Sequence, residues 1–202
     1  MTRLLILTPT LTLLAALAPA APVPKNTKPV LYFPTTVGAK AEYEHSGGTQ
    51  TRTVTAVEDK DGAKLVTVEV DRAYVNGLRD RYTTTTRVAA DGVYHMSDSL
   101  AERDRPLLLL KLPHRDGASW EVESAVRLKG DALKVTDRYT CKASGPEEVR
   151  VPAGTFKAIR VEERNGTVVW YAPSVGVVKV RTVSTRTGFQ DMVLKSFTPG
   201  KD

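Results

Sequence analysis

The residues able to do covalent or metal chemistry are few and scattered. The chain of 202 residues has three histidines, His45, His95 and His114, and one cysteine, Cys141. Metal sites set their ligands in close pairs along the chain, and none of these four residues has a histidine or cysteine partner at ligand spacing. A thiol nucleophile needs a histidine and an electropositive, accessible setting. Cys141 instead alternates in phase with Tyr139 and Ala143, an apolar face on which free cysteines are inert. Ser174, between Pro173 and Val175, lacks the Gly-x-Ser-x-Gly setting of a nucleophile elbow. Glu121 with Glu123, and Glu162 with Glu163, are the closest carboxylate pairs. Glycosidases hold two carboxylates across a cleft, whereas sequence neighbours on a polar strand face are simply solvated. These patterns predict a protein that is not an enzyme and holds no metal and no cofactor.

Binding chemistry is better represented. Lysine and arginine number 29 against 23 acids, a formal charge of +6 with a pI near 9.4. Arg138 and Lys142 share one polar strand face, which could meet an anionic envelope polymer or phospholipid headgroups. Nucleic acid is the least favoured partner, given the export signal described below. The competing reading is a charged face that keeps the sheet soluble. Trp120, Tyr139, Phe156 and Trp170 are the aromatic candidates for a ligand-binding cleft. They would line the concave side of a curled sheet, which either fills itself with side chains or leaves room for a lipid-like small molecule.

The elements that must position these residues are strands. Period-two alternation recurs between turn dipeptides such as Asp61-Gly62, Asn76-Gly77, Asp91-Gly92 and Asn165-Gly166. Gly47-Gly48, Asp116-Gly117, Gly130-Asp131 and Thr187-Gly188 extend the series. Val66, Val68 and Val70 oppose Thr67, Glu69 and Asp71, and Trp120 and Val122 oppose Glu121 and Glu123. One face packs and the other is wet. The expected fold is all-β, a strongly curved antiparallel meander forming an open half-barrel, in one domain over residues 31–199. Residues 79–88, rich in Thr and Arg, read as an edge strand, and residues 97–110 as a short helix broken at Pro106. Phe33-Pro34-x-x-x-Gly38-Ala39-x-x-Glu42-x-Glu44 is echoed by Leu112-Pro113-x-x-x-Gly117-Ala118-x-x-Glu121-x-Glu123. The echo is either a duplicated half-sheet or one turn solution used twice.

The amino terminus sets the compartment. A basic start at Arg3, an apolar stretch to Leu17 and the small residues Ala18-Pro19-Ala20 form a signal peptide over residues 1–20. A Pro-rich linker follows over residues 21–30. The expected product is periplasmic or secreted and keeps no transmembrane segment once the leader is cut. No cysteine lies near the cleavage point, so it is not a lipoprotein, and a lone cysteine makes no internal disulfide.

Two stretches carry a family resemblance. They are Val151-Pro152-Ala153-Gly154-Thr155-Phe156-Lys157-Ala158 and Trp170-Tyr171-Ala172-Pro173-x-Val175-Gly176-x-Val178-Lys179. With the Pro-x-x-x-Gly strand starts at Pro34 and Pro113, they resemble an exported bacterial domain-of-unknown-function family, number thirty-one-oh-eight, and its relatives. The resemblance implies a half-barrel sheet, similar in outline to the periplasmic carriers that shuttle lipoproteins. Those carriers plug the concave face with helices, of which this chain shows little. No catalytic residues come with the family. The function expected is a non-catalytic binding module for a hydrophobic or amphiphilic ligand. The alternative is a structural or adhesion module of the cell envelope that works through the basic face.

Overall fold

The computed structural model describes residues 29–130, 134–184 and 188–201. The leader, most of the linker, Asp131 and Thr187 lie outside them. Thirteen strands form one antiparallel, unclosed sheet, with no helix among the described residues. They are β1 (Lys40–His45), β2 (Gly48–Lys60), β3 (Ala63–Tyr74), β4 (Arg79–Ala89), β5 (Gly92–Asp98), β6 (Ala101–Arg103) and β7 (Leu107–Lys111). Then come β8 (Ser119–Leu128), β9 (Lys134–Val151), β10 (Gly154–Glu163), β11 (Val168–Ala172), β12 (Gly176–Ser184) and β13 (Gly188–Thr198). The all-β, open-sheet expectation holds. Several hairpins fall where the dipeptides place them: Asp61 and Gly62 both take positive φ, 51° and 74°, as a tight turn requires, whereas Asp116-Gly117 joins β7 to β8, which do not pair.

The order across the sheet is β6-β8-β9-β10-β11-β12-β13-β1-β2-β3-β4-β5-β7. The chain therefore crosses from one end of the sheet to the other between β5 and β6, and again between β6 and β7. Residues 99–100 make the first crossing and residues 104–106 the second. Two residues span three Cα steps, about 11 Å. A flat sheet would separate β5 from β6 by roughly 50 Å at about 4.8 Å per strand. The sheet has to curl until its ends meet.

Side chains and backbone tie that seam together. Trp120 Nε1 donates to Leu108 O at 2.9 Å, and Asp104 N to Ala125 O at 3.1 Å. Asp104 Oδ1 accepts from Ala125 N at 2.8 Å and Ser124 Oγ at 3.3 Å. Across it, Leu107 and Leu110 pack with Trp120, Val122, Ile159 and Tyr171 in the first apolar cluster. A second cluster forms where the far half of the β9–β10 hairpin folds over β11, β12, β13 and β1, with Ala153 N donating to Leu194 O. Strand β11 lies between the two: Val169 and Tyr171 belong to the first, Val168, Trp170 and Ala172 to the second. A third cluster, centred on Val66, Val68 and Val70, lines β2 to β4.

Two local expectations are corrected. Residues 97–110 form no helix; they supply β6 and β7, the two short strands at the sheet edges. The run Leu107–Lys111 finds a partner in β5, and this tertiary pairing overrides local preference. Residues 79–88 are not an edge but the interior strand β4, hydrogen-bonded to β3 and β5. Their arginines line the outer face, where Arg81 meets Asp71 at 2.9 Å.

The sequence echo is also structural. Gly38 N and Gly117 N donate to Val54 O and Ala143 O, Ala39 N and Ala118 N to Thr36 O and Arg115 O, and Val54 N and Ala143 N to Ala39 O and Ala118 O. Both glycines sit at positive φ, 82° and 75°. Replacing Trp120 with Phe keeps most of the ring but leaves Leu108 O unpaired at the seam. It should lower unfolding free energy by about 1–3 kcal/mol in urea titration; an unchanged midpoint would show that the indole bond does not hold the seam.

Candidate functional site

Cross-strand register builds the site. Arg52 faces Val70, which faces Tyr82. One row over, Val54, Val68, Thr84 and Asp98 are aligned. In the next, Val66, Thr86, His95 and Leu107 are aligned. Directly opposed residues share a face, so β2, β3, β4, β5 and β7 present one continuous wall. Phe33, from the segment before β1, and Tyr171 and Val177, from the far side of the barrel, complete it. The space it borders is about 300 Å³ and partly open. Its lining is divided: Phe33, Val68, Val70, Leu107, Leu109 and Val177 are apolar, while Arg52, Tyr82, Thr84, Thr86, His95 and Asp98 are polar.

The polar groups differ in how fully they are engaged. Asp98 Oδ1 accepts from the backbone N–H groups of Leu100 and Ala101 at 2.9 and 2.7 Å, and Oδ2 lies 3.4 Å from His95 Nε2. Asp98 is thus committed to the β5–β6 crossing. Burial, followed by the nearby Arg103 charge, lowers the pKa of His95, which keeps the ring neutral at pH 7. Burial raises the pKa of the Tyr82 phenol. The Arg72 guanidinium stacks 5.1 Å over the Tyr82 ring and donates from Nε to Gln50 Oε1 at 2.7 Å. Arg52 stacks 5.1 Å over Tyr43, yet its buried Nε has no hydrogen-bond partner.

A second space of about 220 Å³ adjoins this wall near the β1–β2 and β12–β13 ends of the sheet, lined by His45, Gln50, Arg72, Tyr74, Thr182 and Met192 among others. Gln50 is 3% exposed, and its Nε2 is unpartnered. Asp191 also lines this space, with Arg181 Nε at 2.7 Å and Lys179 Nζ at 3.0 Å. The Arg181 hydrogen bond leads in holding the Asp191 carboxyl down at about 2.

The sequence-selected residues go elsewhere. Trp120 is buried in the first cluster with its indole bonded to Leu108 O, and Tyr139 packs at that cluster's margin. Trp170 belongs to the second cluster, where Phe156 packs against it, and its Nε1 donates to Glu147 Oε1. The four aromatics are split between two cores and none lines the 300 Å³ cavity. Arg138 projects outward and donates to Glu123 at 2.6 Å, and Lys142 is exposed in the same strand. Cys141 is 3% exposed, and burial pushes its thiol up to about 12. His114 sits in the β7–β8 link, with Nε2 2.7 Å from Gly145 O. Among the described residues no group of three or more His, Cys, Asp or Glu side chains could hold a metal. Glu162 pairs with Arg160 at 2.8 Å, and burial raises the pKa of the Glu163 carboxyl.

Arg52, Tyr82, Thr84, Thr86 and Asp98 were not singled out by type or spacing, and His95 was weighed only as a metal ligand. One signal was present: Arg52 shares its strand phase with Val54, an arginine on the packing face of β2.

No protein-family model matches this sequence, and neither does any curated protein. Solved structures do match. One, from Bacteroides fragilis, is described as an exported protein with a YmcC-like fold; it shares 13% identity at a TM-score of 0.63, covering 84% of this chain and 99% of the other. Another, from Parabacteroides distasonis, is described as a lipoprotein; it shares 13% identity at 0.62, covering 85% and 100%. At this identity the likeness is one of fold.

Two outcomes follow from the electrostatics. The native Cys141 thiol should react with a disulfide reagent at pH 8 at least about 100-fold more slowly than the urea-unfolded chain; equal rates would place it at the surface. For Asp191 the folded pKa lies below the unfolded value of about 3.9. Its stabilisation is therefore present above pH 4 and is lost as pH falls toward 2. Asp191→Asn should destabilise by up to about 1 kcal/mol at pH 7, an amount discounted for partial exposure. The gap to wild type should close toward pH 2, and a pH-independent gap would assign the effect to packing.

Proposed function

We propose that this protein is an exported, non-catalytic binding module that holds an amphiphilic, lipid-like ligand inside its curled sheet. The observation that carries this reading is the interior cavity, apolar on one part of its wall and polar on another. Its volume of about 300 Å³ falls at the lower end of ligand sites. Export is supported by the leader-like residues 1–20 and by the descriptions attached to both similar structures. The only cysteine is Cys141, within β9, a position that cannot carry an amino-terminal lipid. The stretches at residues 151–158 and 170–179 support membership of the exported family numbered thirty-one-oh-eight.

The alternative, an envelope module working through a basic face, has weaker support. Arg138 is engaged by Glu123, Arg81 by Asp71 and Arg150 by Glu148, so positive and negative charges interleave on the outer surface. Such mixing serves solubility more than the capture of a polyanion.

The test is direct. Native mass spectrometry of gently purified protein should show a co-purifying lipid-like mass, and decan-1-ol should displace an apolar fluorescent probe from stripped protein. Thr84→Trp fills the cavity and should weaken decan-1-ol binding by about tenfold or more. A clean apo mass, together with no decan-1-ol binding, would end this reading.

A further inference from the structure

Resting on the proposed function, we infer that the ligand carries an anionic oxygen headgroup, carboxylate or phosphate, which Arg52 receives inside the cavity. An arginine is always protonated, and its Nε and Nη groups form a planar fork that matches two anionic oxygens. Arg52 is placed on the packing face of β2 by the alternation that also buries Val54. The ring of Tyr43 supports one face of its guanidinium. Among the described residues no carboxylate lies within ion-pair distance of it, and its buried Nε has no hydrogen-bond partner. A buried charged donor left unmade is costly, and the neighbouring Arg72 shows one remedy: its Nε donates to Gln50 Oε1. Arg52 has no such protein partner but does have the cavity.

The remaining wall agrees. The one carboxylate among the cavity-lining residues, Asp98, is occupied by two backbone N–H groups and His95. Tyr82, Thr84 and Thr86 add hydroxyls to the same wall, and the His95 ring is neutral, so it does not compete with the arginine as a second cation. Leu107, Leu109, Val177 and Phe33 form the apolar remainder. At roughly 30 Å³ per water-sized group, 300 Å³ admits about ten such groups. That accommodates a single medium-length chain with a compact head.

The experiment compares decanoate, decyl phosphate and decan-1-ol on the mature protein at pH 7.5 by displacement of the same probe. Wild type should bind at least one of the two anions about tenfold or more tightly than the alcohol, the better one identifying the headgroup. Arg52→Met should erase that preference while keeping alcohol binding, with an unchanged circular dichroism spectrum as the check on folding. Equal binding of all three by wild type would overturn this inference and leave the amphiphile reading standing, and it needs no variant to be seen. An anion preference retained in Arg52→Met would also overturn it. Failure of all three ligands to bind would remove both readings together.

Discussion

Closure of the sheet is fixed by chain connectivity, not by a hydrogen-bonded ladder. The links at residues 99–100 and 104–106 are far too short to span an uncurled sheet. Everything inside the molecule follows from this tether. It brings Leu107 and Leu110 of one edge against Trp120 and Val122 near the other, and it converts a row of positions on β2 to β5 into the wall of a partly open cavity. The edges that result are three and five residues long, short enough to offer little template for pairing with another chain.

The echo between residues 33–44 and 112–123 explains why the barrel is open at one seam and not at the other. Where the second half ends, β13 is a single strand that pairs with β12 on one side and β1 on the other. The corresponding place in the first half is held by two strands: β7 pairs with β5, and β6 with β8. Between them stand Asp104, Arg105 and Pro106. Proline has no N–H to give a ladder, and the Asp104 carboxylate spends itself on Ala125 N and Ser124 Oγ. A strand that would have zipped the barrel shut is thus broken in its middle. Leu107 and Leu109, immediately after the break, line the cavity.

Much of the fold was legible in the sequence because turn chemistry and alternation agreed. Asp61-Gly62 and Asn165-Gly166 mark hairpins that form, and the Val66, Val68, Val70 face is buried as its period demands. Sequence did not reveal which strands are edges, because that depends on the crossings, and a short apolar run such as residues 107–110 does not distinguish strand from helix. Nor did it reveal where the large aromatics go. Strand β11 is buried on both faces, with Val169 and Tyr171 in one core and Val168, Trp170 and Ala172 in the other, and alternation does not say which of two buried faces meets which core. Curling alone suggested one inner face for all the aromatics, whereas Phe156 and Trp170 pack in a core separate from that of Trp120. Arg52, by contrast, sits where phase is unbroken between Gln50 and Val54, and its misfit to an apolar face was there to be read.

That misfit is also what separates this interior from an ordinary self-filled barrel. Small barrels normally complete their cores with side chains, and this one does so around Leu110, Ile159 and Leu194, none of which is exposed. Had the space along β2 to β5 served stability alone, the positions of Arg52, Thr84, Thr86 and His95 would have gained most from branched aliphatic residues, which remove apolar area from water without desolvating polar groups. Polar side chains there weaken the core, and a buried guanidinium Nε without a hydrogen-bond partner weakens it further. The apolar clusters on either side of β11 carry the packing, while the wall along β2 to β5 keeps its polar groups.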